Sequence, residues 1–95
     1  MTKLITCNHV HRLVIDDTET EFKTLEAVHT FLKLREKAIK LIEANIRLLQ
    51  FIKAECSEYF HKCSQRIEAE IDFIAQIDLL TNVEKIRYIK SLISL

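Results

Sequence analysis

Apolar residues recur every three or four positions from Leu25 to Ile77, and that spacing is the strongest signal in the chain. With Leu25 at position a of a heptad, the a positions read Leu25, Leu32, Ile39, Ile46, Lys53, Phe60, Ile67 and Ile74. The d positions read Val28, Arg35, Ile42, Leu49, Cys56, Cys63, Glu70 and Ile77. Only Arg35, Lys53 and Glu70 interrupt the series, a persistence that predicts long helix with a coiled-coil-like seam. The apolar band is wider than a seam, because Phe31, Ala38, Ile52, Tyr59 and Phe73 fall at g beside d, and Leu34, Leu41 and Leu48 at c beside g. Covering such a band takes at least two neighbouring helices, so a bundle is expected rather than a two-stranded zipper. Glu36, Lys37, Lys40, Glu43 and Arg47 are left to face water.

The helix ends are written in capping residues and charge. Thr81 followed three residues later by Glu84 has the form of a capping box and predicts a last helix from Asn82 to Ser94. Thr18 with Glu21, or Thr24 alone, can open the first helix, and the acidic run "DDTETE" suits the positive end of a helix dipole. Residues 31–53 hold six bases against two acids, and residues 54–80 hold six acids against two bases. Adjacent segments of opposite charge suit an antiparallel pair, with a bend between Lys53 and Ser57. Without that bend, residues 24–79 would form one rod of about 80 Å, which only other chains could bury.

The first 22 residues follow a different rule. "HVHRLVID" is rich in β-branched residues, and in one extended strand Ile5, Cys7, His9, His11, Leu13 and Ile15 would share a face. A hairpin through Cys7 and Asn8 or through "DDTE" is one form for this segment, and an arm that pairs with another molecule is the other. The expected fold is therefore mainly α: an antiparallel helical hairpin or bundle with a coiled-coil-like seam and a short N-terminal β-like segment. It is read as a single domain over residues 1–95, with an arm or hairpin at 1–22, long helices over 24–80 and a short helix over 82–94.

Composition narrows the chemistry. The 95 residues include no Gly and no Pro, where ordinary usage would supply roughly eleven. Phosphate-cradling loops, dinucleotide fingerprints and nucleophile elbows need glycine, so those enzyme classes are excluded and a non-enzymatic role is expected. Turns that require φ > 0 should be scarce. A chain this short buries a modest share of its surface, which makes a second copy a natural source of stability. Fourteen bases balance fourteen acids, so no global field steers the chain to nucleic acid or to an anionic membrane. No apolar run approaches a membrane span, and the N-terminus is too polar for a secretory core, so a soluble, cytoplasmic protein without membrane contact is expected. Three cysteines, an odd number, fit reduced thiols. Cys56 and Cys63 read as small core residues.

Three constellations remain as candidate sites. Cys7, His9 and His11 at alternate strand positions offer thiol and imidazole ligands suited to zinc, with His29 as a distant fourth. They are three at most, without a paired metal motif, and no metal or cofactor is expected. Cys63 with His61 is no nucleophile–base pair, since residues two apart on a helix point to different faces. Lys33, Lys37, Lys40 and Arg47 form a basic ridge about 20 Å long on the solvent side, suited to contact with an acidic partner. The centre of the apolar band, Ile39, Ile42, Ile46, Leu49, Ile52 and Phe60, is the candidate surface for self-association. Phe51, Leu79 and Leu92 add apolar residues beyond the band.

The expected function is a small protein–protein interaction module that forms a homo-oligomer, binds another protein and acts as an adaptor, regulator or inhibitor. Phage and mobile-element accessory factors are one setting in which such chains occur. The competing reading is a dimeric nucleic-acid-binding regulator that touches phosphate with the ridge and with Lys85, Arg87 and Lys90.

Overall fold

Leu13 and Ile15 are buried, while Arg12 is exposed and Val14 only half-buried, which is the alternation of a strand covered on one side. The computed structural model describes residues 2–95 and is 67% helical, with a three-stranded antiparallel sheet at the N-terminus. Strand β1 spans Thr2–Cys7, β2 Val10–Ile15 and β3 Thr18–Phe22, in the order β1-β2-β3. Helix α1 follows at Leu25–Glu55, then α2 at Ser57–Phe60, a 3₁₀ turn at His61–Cys63, α3 at Ser64–Gln76 and α4 at Asn82–Ile93. The chain divides into two compact units, with the boundary between Lys37 and Ala38, inside α1.

In the first unit, Leu13, Ile15 and Val28 form the buried core, with Phe22, Phe31 and Leu32 packed against it. Phe22 and Phe31 meet with ring centroids 5.2 Å apart and tilted planes, an arrangement aromatic pairs favour. Two-residue turns make this sheet possible. Asn8 and His9 join β1 to β2 with φ of 50° and 65°, and Asp16 opens the β2–β3 turn with φ of 53°. A pair of positive φ values matches the right-handed twist of a hairpin, and glycine is its usual occupant. The scarcity of such turns expected from the missing glycines is thus overturned. The chain uses Asn, His and Asp, of all non-glycine residues the most tolerant of the left-handed region. His9→Gly should stabilise the sheet by about 1 kcal/mol, read as a later midpoint in urea with unchanged slope.

The same turn corrects the metal candidate. In a hairpin, residues directly opposite share a face. Cys7 pairs with Val10, and Ile5 with Arg12, on the side away from Leu13 and Ile15. His11 shares the core side with Leu13, and His9 sits in the turn. Cys7, His9 and His11 therefore do not project together, and the single extended strand that would have aligned them is not formed. Among the described residues, no group of three His, Cys, Asp or Glu side chains is placed to hold a metal.

"DDTETE" is likewise turn and strand rather than the start of a helix. The opening of α1 belongs to Thr24, whose Oγ1 accepts from the Ala27 N–H at 3.1 Å, satisfying one of the donors a first turn leaves unpaired. The helix then runs 31 residues and stops at Cys56, within the interval where the charge reversal places a bend. The following segment is not one long helix to residue 79. It is broken by the 3₁₀ turn and ends at Gln76, because Ile77 is extended, with φ of −74° and ψ of 132°. An extended residue ends the helix without the left-handed glycine that helices commonly use. It also keeps Ile77 and Leu80 against the core.

Thr81 and Glu84 close the capping box in both directions. The Glu84 N–H donates to Thr81 Oγ1 at 3.2 Å and the Thr81 N–H to Glu84 Oε1 at 2.9 Å. Helix α4 spans Asn82–Ile93, with Ser94 as its C-cap. The second unit has its core in Ile42, Ile46, Leu49, Cys63, Ile74, Leu80, Tyr88 and Leu92, drawn from α1, α3, α4 and their connections. No helix among the described residues is long and apolar enough to cross a membrane.

Candidate interaction surface

Helical steps of about 100° decide which apolar residues of α1 face inward. Ile42 and Leu49 are 0% exposed, Ile46 is buried, and Ile39, Ile52 and Phe60 are half-buried. Ile39 and Ile52 pack on the buried cluster of the same unit. The centre of the band is thus held largely within one chain. What the chain does not cover is the side of c and f: Leu41 is 56% exposed, Leu48 42% and Phe51 61%. These three lie at i, i+7 and i+10: Leu41 and Leu48 are roughly a third of a turn from the buried face, and Phe51, beside exposed Ala44, is about 60° further round and nearly opposite it. Leu34, one heptad before Leu41, is exposed in the first unit.

Two of the residues that interrupt the heptads, Lys53 and Glu70, have partners within the second unit. Asn45 Nδ2 donates to both carboxylate oxygens of Glu70, at 3.4 and 3.3 Å. Lys53 donates its ammonium hydrogen to the Leu95 carbonyl and lies 6.0 Å from the Phe60 ring centre. A charge at an a or d position reads in sequence as a defect in the seam. Here Lys53 and Glu70 instead have polar partners at the edge of the core.

Lys33, Lys37, Lys40 and Arg47 are all exposed on α1, beside Glu36 and Glu43. The second cationic group is more engaged: Lys85 Nζ donates to the Ala75 carbonyl at 3.1 Å, and the Arg87 guanidinium stacks 5.1 Å from the Tyr88 ring. Of the apolar residues outside the band, Phe51 is exposed, Leu79 half-buried and Leu92 buried, so only the first presents a full side chain. Helix α4 adds Val83, Ile86 and Ile93, exposed at i, i+3 and i+10. Phe73, at a g position, is also exposed.

All three cysteines are free thiols. Cys63 is buried and its Sγ donates to the Tyr59 carbonyl at 3.7 Å, the behaviour of a small core residue. Cys56 is exposed at the helix break, a departure from the core position read in sequence. It stands in an open hollow of about 600 Å³ lined by Glu55, Ser57, Glu58, Tyr59 and Lys62. The break turns its side chain out of the d series. None of those lining residues is a histidine that would serve the thiol as a base.

No family model, curated protein or solved structure matches this chain, so its function rests on its own surface chemistry.

Proposed function

We propose that this chain is a non-enzymatic protein–protein interaction module that self-associates through α1 and acts as an adaptor, regulator or inhibitor. Residues 38–95 are read as an antiparallel helical hairpin, extended to a small bundle by α4, with Ile42, Ile46 and Leu49 as its inner seam. The Lys53–Phe60 and Asn45–Glu70 contacts support that reading, because Lys53 near the end of α1 meets Phe60 just after the break while Asn45, further back, meets Glu70, further on.

The observation that carries the function is the stripe of Leu41, Leu48 and Phe51. Single exposed hydrophobes are ordinary, but large apolar side chains repeating along one flank of a helix favour burial by a partner helix. Lys40 and Arg47 border the stripe, so a heterologous partner would be apolar at its centre and acidic at its rim. A nucleic-acid regulator has thinner support, since Lys85 and Arg87 already serve contacts within the chain.

Light scattering behind size exclusion tests the reading. Wild type should run heavier than its 11.2 kDa chain. Leu41→Asp with Leu48→Asp should lower that mass by removing the α1 contact, with an unchanged helical spectrum. Two carboxylates in an apolar contact cost about 3 kcal/mol or more, which weakens association by a hundredfold or more. A wild type that stays monomeric at every concentration would overturn self-association through α1.

A further inference from the structure

We infer that the free edge of β1 is a self-pairing surface, at which a second copy of this chain adds its own β1 antiparallel to join two three-stranded sheets into one of six. The pairing is separate from the α1 stripe and does not depend on it.

All six residues of β1 are exposed, and among the described residues the strand has a neighbour on one side only. The two-residue turn closes on Cys7 and Val10 as a hydrogen-bonded pair, and such pairs alternate along an antiparallel ladder. Cys7, Ile5 and Lys3 therefore direct their N–H and C=O groups to β2, while Thr6, Leu4 and Thr2 direct theirs to the open edge. The side-chain contact of Thr6 Oγ1 with His11 Nδ1, at 3.0 Å, fits this register. Side chains approach most closely in the non-hydrogen-bonded pairs.

That edge is complementary to itself. A two-fold axis beside Leu4 sets Leu4 against its own copy and Thr2 against Thr6 of the second chain, three pairs that use every outward backbone group. The parity is right, because Thr2, Leu4 and Thr6 share one face of the sheet. On the other face Lys3, the strand's one charge, falls opposite Ile5 of the second copy, so no like charges stand directly opposite each other. Its aliphatic stem can cover that Ile5 while the ammonium reaches water. Leu4 and Ile5, 46% and 45% exposed, are the apolar area the pairing would cover.

The opposite edge of the sheet differs. In β3, Glu19 and Glu21 carry the outward backbone groups, and every antiparallel self-pairing through them sets glutamate against glutamate, a charged guard against edge association. Pairing β1 with β3 of another copy would be heterologous, giving a ring or a filament rather than a single two-fold contact. The β1 self-pairing does close. Its small area places it at the weak end of protein interfaces, so the dimer should form in a concentration-dependent way.

The test uses the full chain carrying Leu41→Asp and Leu48→Asp, so that the α1 stripe takes no part, followed by sedimentation velocity over a concentration series at low salt. This protein should still form a dimer. Adding Ile5→Glu should tighten it and adding Ile5→Lys should weaken it, each by roughly threefold to tenfold, because each change acts at two symmetric pairs with Lys3. Both variants should keep the parent circular dichroism spectrum, Ile5 being exposed. Amide exchange at Leu4 and Thr6 should slow as concentration rises. A monomer at all concentrations would overturn the inference and leave the α1 reading untouched. It would also fall if both substitutions shifted the dimer in the same direction, or if exchange at Leu4 and Thr6 ignored concentration.

Discussion

Ile42→Asp with Leu49→Asp should abolish the cooperative unfolding of residues 38–95. Both side chains are fully buried in the cluster that also holds Ile74, Tyr88 and Leu92. A carboxylate placed there loses its water and finds no designed partner, at a cost of several kcal/mol for each site. Domains of this size are stable by about 5–15 kcal/mol, so two such losses exhaust the margin. The measurement is a thermal melt followed by far-ultraviolet circular dichroism, in which the variant shows reduced helix and no transition. The comparison is with Leu41→Asp and Leu48→Asp, one residue earlier in each case, which should melt within about 1 kcal/mol of wild type at concentrations where both are monomers, because within one chain these side chains are exposed. If both pairs unfold the protein alike, the division of α1 into buried and exposed flanks is wrong. If neither does, Ile42 and Leu49 are not core.

Leu13→Ala should have the largest effect in the sheet unit, about 2–5 kcal/mol, since it empties the side-chain space beside Ile15 and Val28. Among the described residues that core has three buried members, and a cavity in so small a cluster has few neighbours able to close it. Native-state hydrogen exchange read by NMR would show the amides of β2 and β3 losing most of their protection. A slowdown of exchange, or a change below about 1 kcal/mol, would mean that the backbone ladders, not this cluster, hold the sheet.

Much of the helical architecture is legible in the order of residues alone, because it depends on local chemistry. Thr81 and Glu84 make their capping box whatever lies around them, and the reversal from a basic to an acidic segment brackets the break at Cys56. Thr24 needs only its own hydroxyl and the next turn's N–H. The inner seam of α1 follows from 3.6 residues per turn. The 3₁₀ turn at His61–Cys63 and the extended Ile77 are not legible, since neither carries a Gly or Pro to mark it. Lys53 and Glu70 look like interruptions in sequence because periodicity counts charges as misplaced and cannot see a carbonyl or an amide waiting at the edge of a core.

The candidate sites divide along the same line. An alternating Cys, His and His describes one face only if the strand is continuous. A two-residue turn reverses the parity, so Cys7 and His11 end on opposite sides of the sheet. The apolar band shows the complementary limit. Leu41 and Ile42 are neighbours of nearly equal hydrophobicity, and periodicity assigns each a direction around α1 without saying how many helices will arrive to meet it. By itself the sequence determined where the last helix begins, which side of the long helix is greasy and that no glycine is available to its turns, since those follow from single residues and their spacing. Only the tertiary structure decided that Ile42 is enclosed while Leu41, Leu48 and Phe51 stay in water, and that β1 is left with an open edge, because coverage depends on elements distant in the chain coming together.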